Sequence, residues 1–170
     1  MTSTMMDAGF PMRSWCELKT ILDEESLEKL GRSKEQQIEY AEFRRQLSID
    51  WITVTDYVLV SKMNFRQIVL DDGKFAAERP QVTASRLVIV RNDFPYNFES
   101  GMEHFVLWKI GSELIKSEID TAAQEICSES DALDFVTFTN PQNLKSILDL
   151  EHAHIILRLP SNQREGGMTL

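Results

Sequence analysis

A chain of 170 residues is long enough to fold around one hydrophobic core and to bury roughly two thirds of the surface that its unfolded form exposes. Its composition, with 42% hydrophobic and 26% charged residues, is typical of a folded protein and excludes a disordered one. The formal net charge of -9 argues against long nucleic acids as partners, because affinity for a phosphate backbone comes from Lys and Arg. A small phosphorylated ligand stays compatible with this charge, since it needs only a local cluster of donors.

Two further features bear on the cellular compartment. Cys16 and Cys127 form no C-x-x-C pair, which gives no support to a zinc ribbon or a thioredoxin-like site and favours a reducing environment. The first residues lack the basic start and apolar run of a secretory signal, and no stretch approaches the roughly 18 apolar residues of a membrane span. We therefore expect a cytoplasmic protein without membrane association. No pattern indicates a particular cofactor, and the oligomeric state is left open.

The two ends of the chain differ from its middle. Residues 1–12 and 161–170 show no periodicity and are predicted to be flexible tails. Residues 13–160 are predicted to form a single domain.

The first half of this domain has a helical pattern. Ser33 and Gln36 match a capping box, in which each side chain satisfies a backbone N–H at the start of a helix. A helix over residues 34–48 is predicted, with Tyr40, Phe43 and Leu47 at helical spacing. Two shorter helices are predicted before it, on the apolar positions Leu18, Ile21, Leu22, Leu27 and Leu30.

The next segments are less regular. Residues 51–63 contain β-branched side chains but also an apolar stripe at helical spacing, and we favour a helix. Residues 71–83, which contain Gly73 and Pro80, have no periodicity and are predicted to form a long connection.

The second half changes to short β patterns. Four runs rich in β-branched and aromatic residues predict strands at 87–91, 104–110, 135–139 and 152–159. An apolar face between the second and third runs predicts a helix that begins near Ser112. The expected fold is α+β, with a helical N-terminal part packed on one face of a mainly antiparallel sheet of about 4–5 strands.

All three histidines lie in this second half. Imidazole is the side chain best suited to proton transfer, nucleophilic attack or metal binding near neutral pH, so any catalytic site is expected there. Because side chains alternate along a strand, His152, His154 and Arg158 share one face of their strand. His104 and Trp108 share a face of theirs. If the two strands are neighbours, the three imidazoles approach each other.

An H-x-H pair on a strand supports three interpretations, which the sequence leaves open. The rings could bind a metal ion, with His104 or Asp93 as a third ligand. His154 could be a nucleophile in phosphoryl or nucleotidyl transfer, with neighbouring donors stabilising the phosphate oxygens. Both rings could instead be structural and hydrogen-bonded inside a polar core.

Two loops add polar candidates. The segment RNDFPYNFESG has the Asn, Asp and Pro of a turn, and its aromatic residues could pack or stack on a planar ligand. The segment NPQNLKS turns from a strand into a short helix whose N–H groups could hold phosphate. No base accompanies Ser146, which favours a turn residue over a nucleophile, and we keep it as a binding candidate. The ligand-binding candidates are Asn92, Asp93, Tyr96, Trp108, Asn140, Ser146 and Arg158.

The ordered blocks NDFPY, EHFVLW, FTNPQNLKSI and EHAHIILR resemble an uncharacterised, mostly fungal family that includes the N-acetylglucosamine-induced proteins. The resemblance covers residues 85–158 best and implies no particular activity. This chain departs from the family pattern at Phe94, where Trp is usual, and at Thr139 and Ala153, where aromatic residues are usual.

The H-x-H strand also has a looser similarity to the histidine-triad superfamily of nucleotide hydrolases and transferases. That resemblance implies that His152, His154 and Ile156 occupy the three triad positions and that His154 attacks an α-phosphate. Ile156 departs from the triad.

These patterns lead to one functional hypothesis and its alternatives. The hypothesis is a nucleotide- or sugar-phosphate-acting hydrolase or transferase with His154 as nucleophile or general base. His152 and His104 would orient groups or act as acids, and Arg158 or Asn140 would hold phosphate. The alternatives are a non-catalytic binding or regulatory module for a phosphosugar or a protein partner, or a His-ligated metal site.

Overall fold

The computed structural model describes residues 9–79, 84–145, 147 and 150–160. Most positions of the two predicted tails therefore lie outside the described residues. Near the start of the described part, the backbone N–H of Phe10 donates to the carbonyl of Arg32 at 2.8 Å, and the Asn97 amide donates to the Phe10 carbonyl at 2.8 Å.

The first half of the chain forms three helices, α1 (Trp15–Asp23), α2 (Lys34–Asp50) and α3 (Val54–Ser61), and a 3₁₀ turn at Leu27–Lys29. The predicted capping box of α2 is present. The Ser33 hydroxyl accepts from the backbone N–H of Gln36 at 3.2 Å, and the Gln36 side chain accepts from the backbone N–H of Ser33 at 3.3 Å. Two of the orphan backbone donors at the start of α2 are thus satisfied within four residues of sequence. The helix predicted over residues 34–48 is confirmed, and so is the helix favoured within 51–63.

A small hairpin follows these helices. Strands β1 (Gln67–Val69) and β2 (Phe75–Ala77) pair antiparallel, and Gly73 in the turn has a φ of 84°, which glycine adopts without steric cost. The predicted long connection over 71–83 is wrong for β2, while residues 80–83 lie outside the described part. Three residues are too few to show alternation, and tertiary packing against α3 forms this strand, with Ala76 and Ala77 buried.

The main sheet has four antiparallel strands in the order β3-β4-β6-β5. The strands are β3 (Arg86–Arg91), β4 (Met102–Ile110), β5 (Asp134–Phe138) and β6 (Glu151–Arg158). The predicted α+β class and all four predicted strands are confirmed. The two histidine-bearing strands, β4 and β6, are the central pair, and Val106 lies opposite His154 in their register.

Helices cover both faces of this sheet, whereas the sequence led us to expect them on one. Helix α4 (Lys116–Glu129) packs Ala123 against Phe105, Leu107 and Ile155. Helices α1 and α3 pack against the opposite face, which carries Val106, Trp108 and Ile156. The reason is that both sets of alternating side chains on β4 and β6 are apolar or aromatic enough to require a cover.

Helix α4 begins at Lys116 and not near Ser112 as predicted. The preceding turn starts at Gly111, which has a φ of 89°. The ammonium of the buried Lys109 then holds the turn by donating to the Glu113 carbonyl at 2.6 Å. Among the described helices, none is long and apolar enough to cross a membrane.

Candidate functional site

His104 and His154 form a direct hydrogen-bonded pair on the inner face of the central strands. Their positions are diagonal in the antiparallel register, since His104 lies opposite Ile156 and Val106 opposite His154. His104 Nε2 lies 2.9 Å from His154 Nδ1. Both rings are buried, with 3% and 6% of their surfaces exposed.

The hydrogen bonds fix which ring nitrogens carry protons. The backbone N–H of Tyr96 donates to His104 Nδ1 at 3.2 Å, so the proton of a neutral His104 is on Nε2. His104 Nε2–H then donates to His154 Nδ1, which places the proton of a neutral His154 on its own Nε2.

Asn140 terminates this chain of hydrogen bonds. Its Nδ2 is placed 3.1 Å from His154 Nε2 and 2.9 Å from the Tyr96 hydroxyl. A protonated Nε2 needs an acceptor, however, and a 180° rotation of the amide supplies Oδ1 at the same position. In that orientation one amide oxygen accepts from both His154 and Tyr96. The buried polar groups are then satisfied from Tyr96 N–H through both imidazoles to Asn140.

Asn92 covers the face of the first imidazole. Its Nδ2 lies 3.5 and 3.4 Å from the two ring nitrogens of His104, and such similar distances place it over the ring. Its Oδ1 accepts from the Phe94 N–H at 3.0 Å, in the Asx turn that the sequence indicates. The side chain thus fixes the 92–96 loop over His104.

The environment keeps both imidazoles of this pair uncharged. Burial, with a smaller effect of the Arg32 charge, lowers the pKa of His104 to about 3. Burial, followed by the neighbouring His104, His152 and Arg32, lowers the pKa of His154 well below its usual value. All four ring nitrogens have partners, so this pair has the features of a structural polar core.

His152 differs from the other two histidines. Its Nδ1 lies 3.0 Å from the Leu150 carbonyl oxygen, and because a carbonyl only accepts, the Nδ1 carries the proton. The Nε2 lone pair therefore has no hydrogen-bond partner among the described residues. This nitrogen is not one of the fully buried polar atoms that lack a partner. The Trp108 ring lies beside it, with 4.9 Å between ring centroids. Burial lowers the pKa of His152, which leaves a neutral imidazole with an available acceptor nitrogen.

His152 and His154 line a cavity of about 100 Å³ between the sheet and helices α2 and α3, which we call the histidine pocket. Tyr40, Phe43 and Tyr57 contribute aromatic walls from the helices. The pocket is also basic, with lining residues that include Arg32, Arg44, Lys62, Arg91 and one carboxylate, Asp93.

Two of these cations are neutralised by carboxylates. Lys62 pairs with Asp93 at 2.6 Å and Arg91 pairs with Glu103 at 2.8 Å. Arg32 has no such partner among the described carboxylates.

Arg32 is held at the histidine pocket by contacts with two neighbouring residues. It is half-buried, its Nε donates to the Phe94 carbonyl at 3.0 Å, and its guanidinium lies 3.9 Å from the centre of the Tyr40 ring. Burial lowers its pKa, but a guanidinium keeps its charge in proteins. The remaining N–H groups of Arg32 are suited to an anion.

The structure brings most of the predicted site residues to one place. His152, His154, Asn92, Asp93, Tyr96 and Trp108 line the histidine pocket. His104 and Asn140 lie behind His154. Arg158 is exposed at the end of β6, opposite Met102 and Asp134, and does not line this pocket. Ser146 lies outside the described residues.

Sequence reasoning missed the pocket residues of the helical half. Tyr40 and Arg44 are four residues apart on α2, and the Arg44 guanidinium donates to the Tyr40 hydroxyl at 3.2 Å. A spacing of four residues on a helix predicts such a contact, so this pair could have been found from the sequence. No comparable pattern marks Arg32, because it is a single polar residue that precedes the helix.

A metal site of three ligands is not formed by these groups. Among the described residues, no group of three or more His, Cys, Asp or Glu side chains could hold a metal ion. Of the third ligands that the sequence offered, His104 is bonded to His154, and Asp93 is paired with Lys62.

Residues 14–158 match the model of a family described as "Protein of unknown function (DUF3605)". The chain belongs to this family. It is 23% identical over 172 residues to N-acetylglucosamine-induced protein 1 of Candida albicans, and the alignment covers 85% of this chain and 68% of that protein. It is 27% identical over 169 residues to the uncharacterized protein YPL067C of Saccharomyces cerevisiae, and the alignment covers 86% of this chain and 79% of that protein.

These relatives confirm the predicted resemblance to an uncharacterised fungal family. A crystal structure of HTC1 has the same fold as this DUF3605 chain, with a TM-score of 0.56 and 21% identity over 90% of this chain and 89% of the other. The more distant similarity to histidine-triad enzymes is not shown by these matches and stays a prediction.

Proposed function

We propose that this protein binds a small anionic ligand, a phosphorylated sugar or a similar phosphate ester, in the histidine pocket. Arg32 would be the main anion-binding side chain. The Nε2 of His152 is an acceptor and would take a hydrogen bond from a hydroxyl group of the ligand, and the His104–His154 pair would act as the structural floor of the pocket.

The observation that carries this proposal is the state of Arg32. A half-buried guanidinium without a carboxylate among the described residues has a desolvation cost that no internal ion pair offsets. A ligand phosphate would offset it, since the planar fork of Arg matches two phosphate oxygens. The chain has a net charge of -9, so a local excess of cations in this pocket is unusual for it.

The size of the pocket limits the ligand. A volume of about 100 Å³ is well below the roughly 300–1,000 Å³ of pockets that enclose a drug-sized molecule. It is large enough for a phosphate group and the atoms next to it. Aromatic walls favour a ligand that presents a sugar or another flat face next to its anion.

A thermal-shift experiment with matched ligands tests this proposal. We expect fructose 6-phosphate to stabilise the protein and fructose, which lacks the charge, to have no effect. At a ligand concentration of one hundred times Kd the gain is about 2.7 kcal/mol, or roughly 5–10 °C for a chain of this size.

Two variants of the same helix region provide the control. Arg32→Met should abolish the shift, whereas Arg45→Met should retain it, because Arg45 is exposed and pairs with Glu42. An equal shift in both variants would show that the anion binds elsewhere. The absence of any shift in the wild-type protein with fructose 6-phosphate, inorganic phosphate or uridine monophosphate would refute the proposal.

The available Nε2 of His152 favours a second candidate function, hydrolysis of the bound phosphate ester. In this step His152 Nε2 takes a proton from water, the water oxygen bonds to phosphorus, and the P–O bond to the alcohol breaks. The alcohol oxygen takes a proton from solvent as it leaves, inorganic phosphate is the other product, and His152 returns the proton it accepted to solvent. This assignment moves the reactive role from His154, whose two nitrogens are both hydrogen-bonded, to His152.

Phosphate release from fructose 6-phosphate and from uridine monophosphate tests the hydrolytic step. His152→Gln should eliminate turnover and keep the Arg32-dependent thermal shift. Binding without product formation in the wild type would leave the binding function alone. Unchanged turnover in His152→Gln would exclude His152 as the base.

A further inference from the structure

A second, larger cavity adjoins the histidine pocket. It has a volume of about 560 Å³ and lies between the start of α2, the 3₁₀ turn at Leu27–Lys29 and the 140–145 segment. We call it the basic groove. Arg32, Tyr40 and Tyr96 line both cavities, so a ligand that contacts Arg32 from the pocket has the groove beside it.

The charged side chains of the basic groove are all cationic. Arg32, Lys34 and Lys145 line it, and none of its described lining residues is acidic. None of the three forms an ion pair with a described carboxylate. The whole chain has 27 acidic and 18 basic residues, so a cavity with three cations and no described carboxylate runs against the composition.

Neutral donors and apolar surface complete the lining. Gln37, Asn140 and Asn143 supply amides, and Leu27 and Leu30 are among the apolar residues. A few convergent polar groups in a largely apolar concavity of 300–1,000 Å³ are typical of small-molecule sites. The volume of the basic groove falls within that range, whereas the volume of the histidine pocket does not.

Arg32 is placed to connect the two cavities. Its guanidinium is 3.9 Å from the centre of the Tyr40 ring and 5.8 Å from that of Tyr96, the two aromatic residues that also line both cavities. Only its Nε–H has a hydrogen-bond acceptor among the described residues, the Phe94 carbonyl. A guanidinium has five N–H donors, and the other four remain for groups in either cavity.

We propose that the basic groove binds the second anionic group of a sugar bisphosphate whose first phosphate lies at Arg32 in the histidine pocket. This inference rests on the proposed function and specifies its ligand class. Lys34 and Lys145 neutralise the second phosphate, and the amides of the groove hydrogen-bond the sugar between the two phosphates.

Calorimetric titration with fructose 1,6-bisphosphate and fructose 6-phosphate tests the inference. We expect the wild-type protein to bind the bisphosphate at least about tenfold more tightly. The double variant Lys34→Gln/Lys145→Gln should reduce this preference to less than about threefold and leave the Kd for the monophosphate unchanged. The control Lys19→Gln/Lys116→Gln removes the same charge at exposed sites, where the lysines pair with Asp134 and Asp120, and should keep the preference.

The outcomes separate this inference from the proposed function. Equal affinity for both sugar phosphates, with binding that Arg32→Met abolishes, would refute a second phosphate site in the basic groove. It would leave the proposed function of the histidine pocket intact. An equal loss of preference in the control variant would overturn it as well, because general electrostatics would then explain the effect. Absence of binding of either sugar phosphate, or binding that Arg32→Met leaves unchanged, would overturn both.

Discussion

The buried histidine pair predicts a loss of stability in mild acid. Burial lowers the pKa of His104 to about 3, while in the unfolded chain it returns to roughly 6.5. Below pH 6.5, His104 is protonated in the unfolded state and stays neutral in the folded state. The free energy of unfolding therefore falls as the pH drops below 6.5. The stabilising contribution is complete above that pH and is lost progressively towards the folded pKa.

The size of the effect follows from the two pKa values. Between pH 7.5 and pH 5.0, His104 alone should reduce the free energy of unfolding by about 2 kcal/mol. This figure is insensitive to the folded pKa as long as it lies below about 4, since His104 then stays neutral at pH 5. His154, whose pKa is also lowered by burial, changes stability in the same direction. A loss of this size is a large fraction of the roughly 5–15 kcal/mol that stabilises a typical domain.

Urea denaturation at pH 7.5, 6.5, 5.5 and 5.0 measures this dependence. The control is His104→Gln, which removes the titrating group and keeps a polar side chain. The wild-type protein should lose about 2 kcal/mol more than this variant between pH 7.5 and 5.0. Identical pH dependence in the two proteins would refute the description of His104 as a buried neutral imidazole.

Three substitutions test other parts of the core, each by urea denaturation at pH 7.5. Asn140→Leu should lower the free energy of unfolding by about 3 kcal/mol, because His154 and Tyr96 both lose their buried partner; a loss below about 1 kcal/mol, no larger than in Asn143→Leu, would contradict the hydrogen-bond chain. Tyr96→Phe removes only the hydroxyl and should cost about 1 kcal/mol, and an unchanged stability would show that the hydroxyl has no role. Glu118→Leu leaves the buried ammonium of Lys109 without its carboxylate partner at 2.6 Å and with only the Glu113 carbonyl, and it should cost about 3 kcal/mol, whereas a neutral effect would mean that this ammonium is solvated.

Much of the fold could be predicted from local sequence patterns. The Ser33 capping box and the helical spacing after it predict α2, and β-branched runs predict all four strands of the main sheet. Hairpin β1-β2 could not be predicted, since each strand has only three residues and depends on contacts with α3 and Trp51. The face of the sheet that α4 covers could not be predicted either. The side chains on both faces of β4 and β6 are apolar or aromatic, so either face could pack against a helix.

The candidate site could be predicted only in part. Strand alternation correctly placed the histidines on one face, and the adjacency of β4 and β6 then brought His104 to His154. The difference between His154 and His152 could not be predicted, because it depends on distant partners such as Asn140 and on the Leu150 carbonyl. Arg32 gains its place in the pocket from contacts with Phe94 and Tyr40, and the first of these is 62 residues away in sequence.

Long-range ¹H–¹⁵N NMR spectra of the three imidazoles during a titration with inorganic phosphate test the proposed site most directly. Before phosphate is added, His104 and His154 should carry their protons on Nε2 and His152 on Nδ1. Phosphate should shift the Nε2 resonance of His152 in the wild-type protein and have no effect in Arg32→Met, with the other two rings unchanged in both. A proton on His152 Nε2, or a His152 resonance that phosphate leaves unmoved, would contradict a site in which Arg32 binds the anion and His152 Nε2 accepts from a hydroxyl of the ligand.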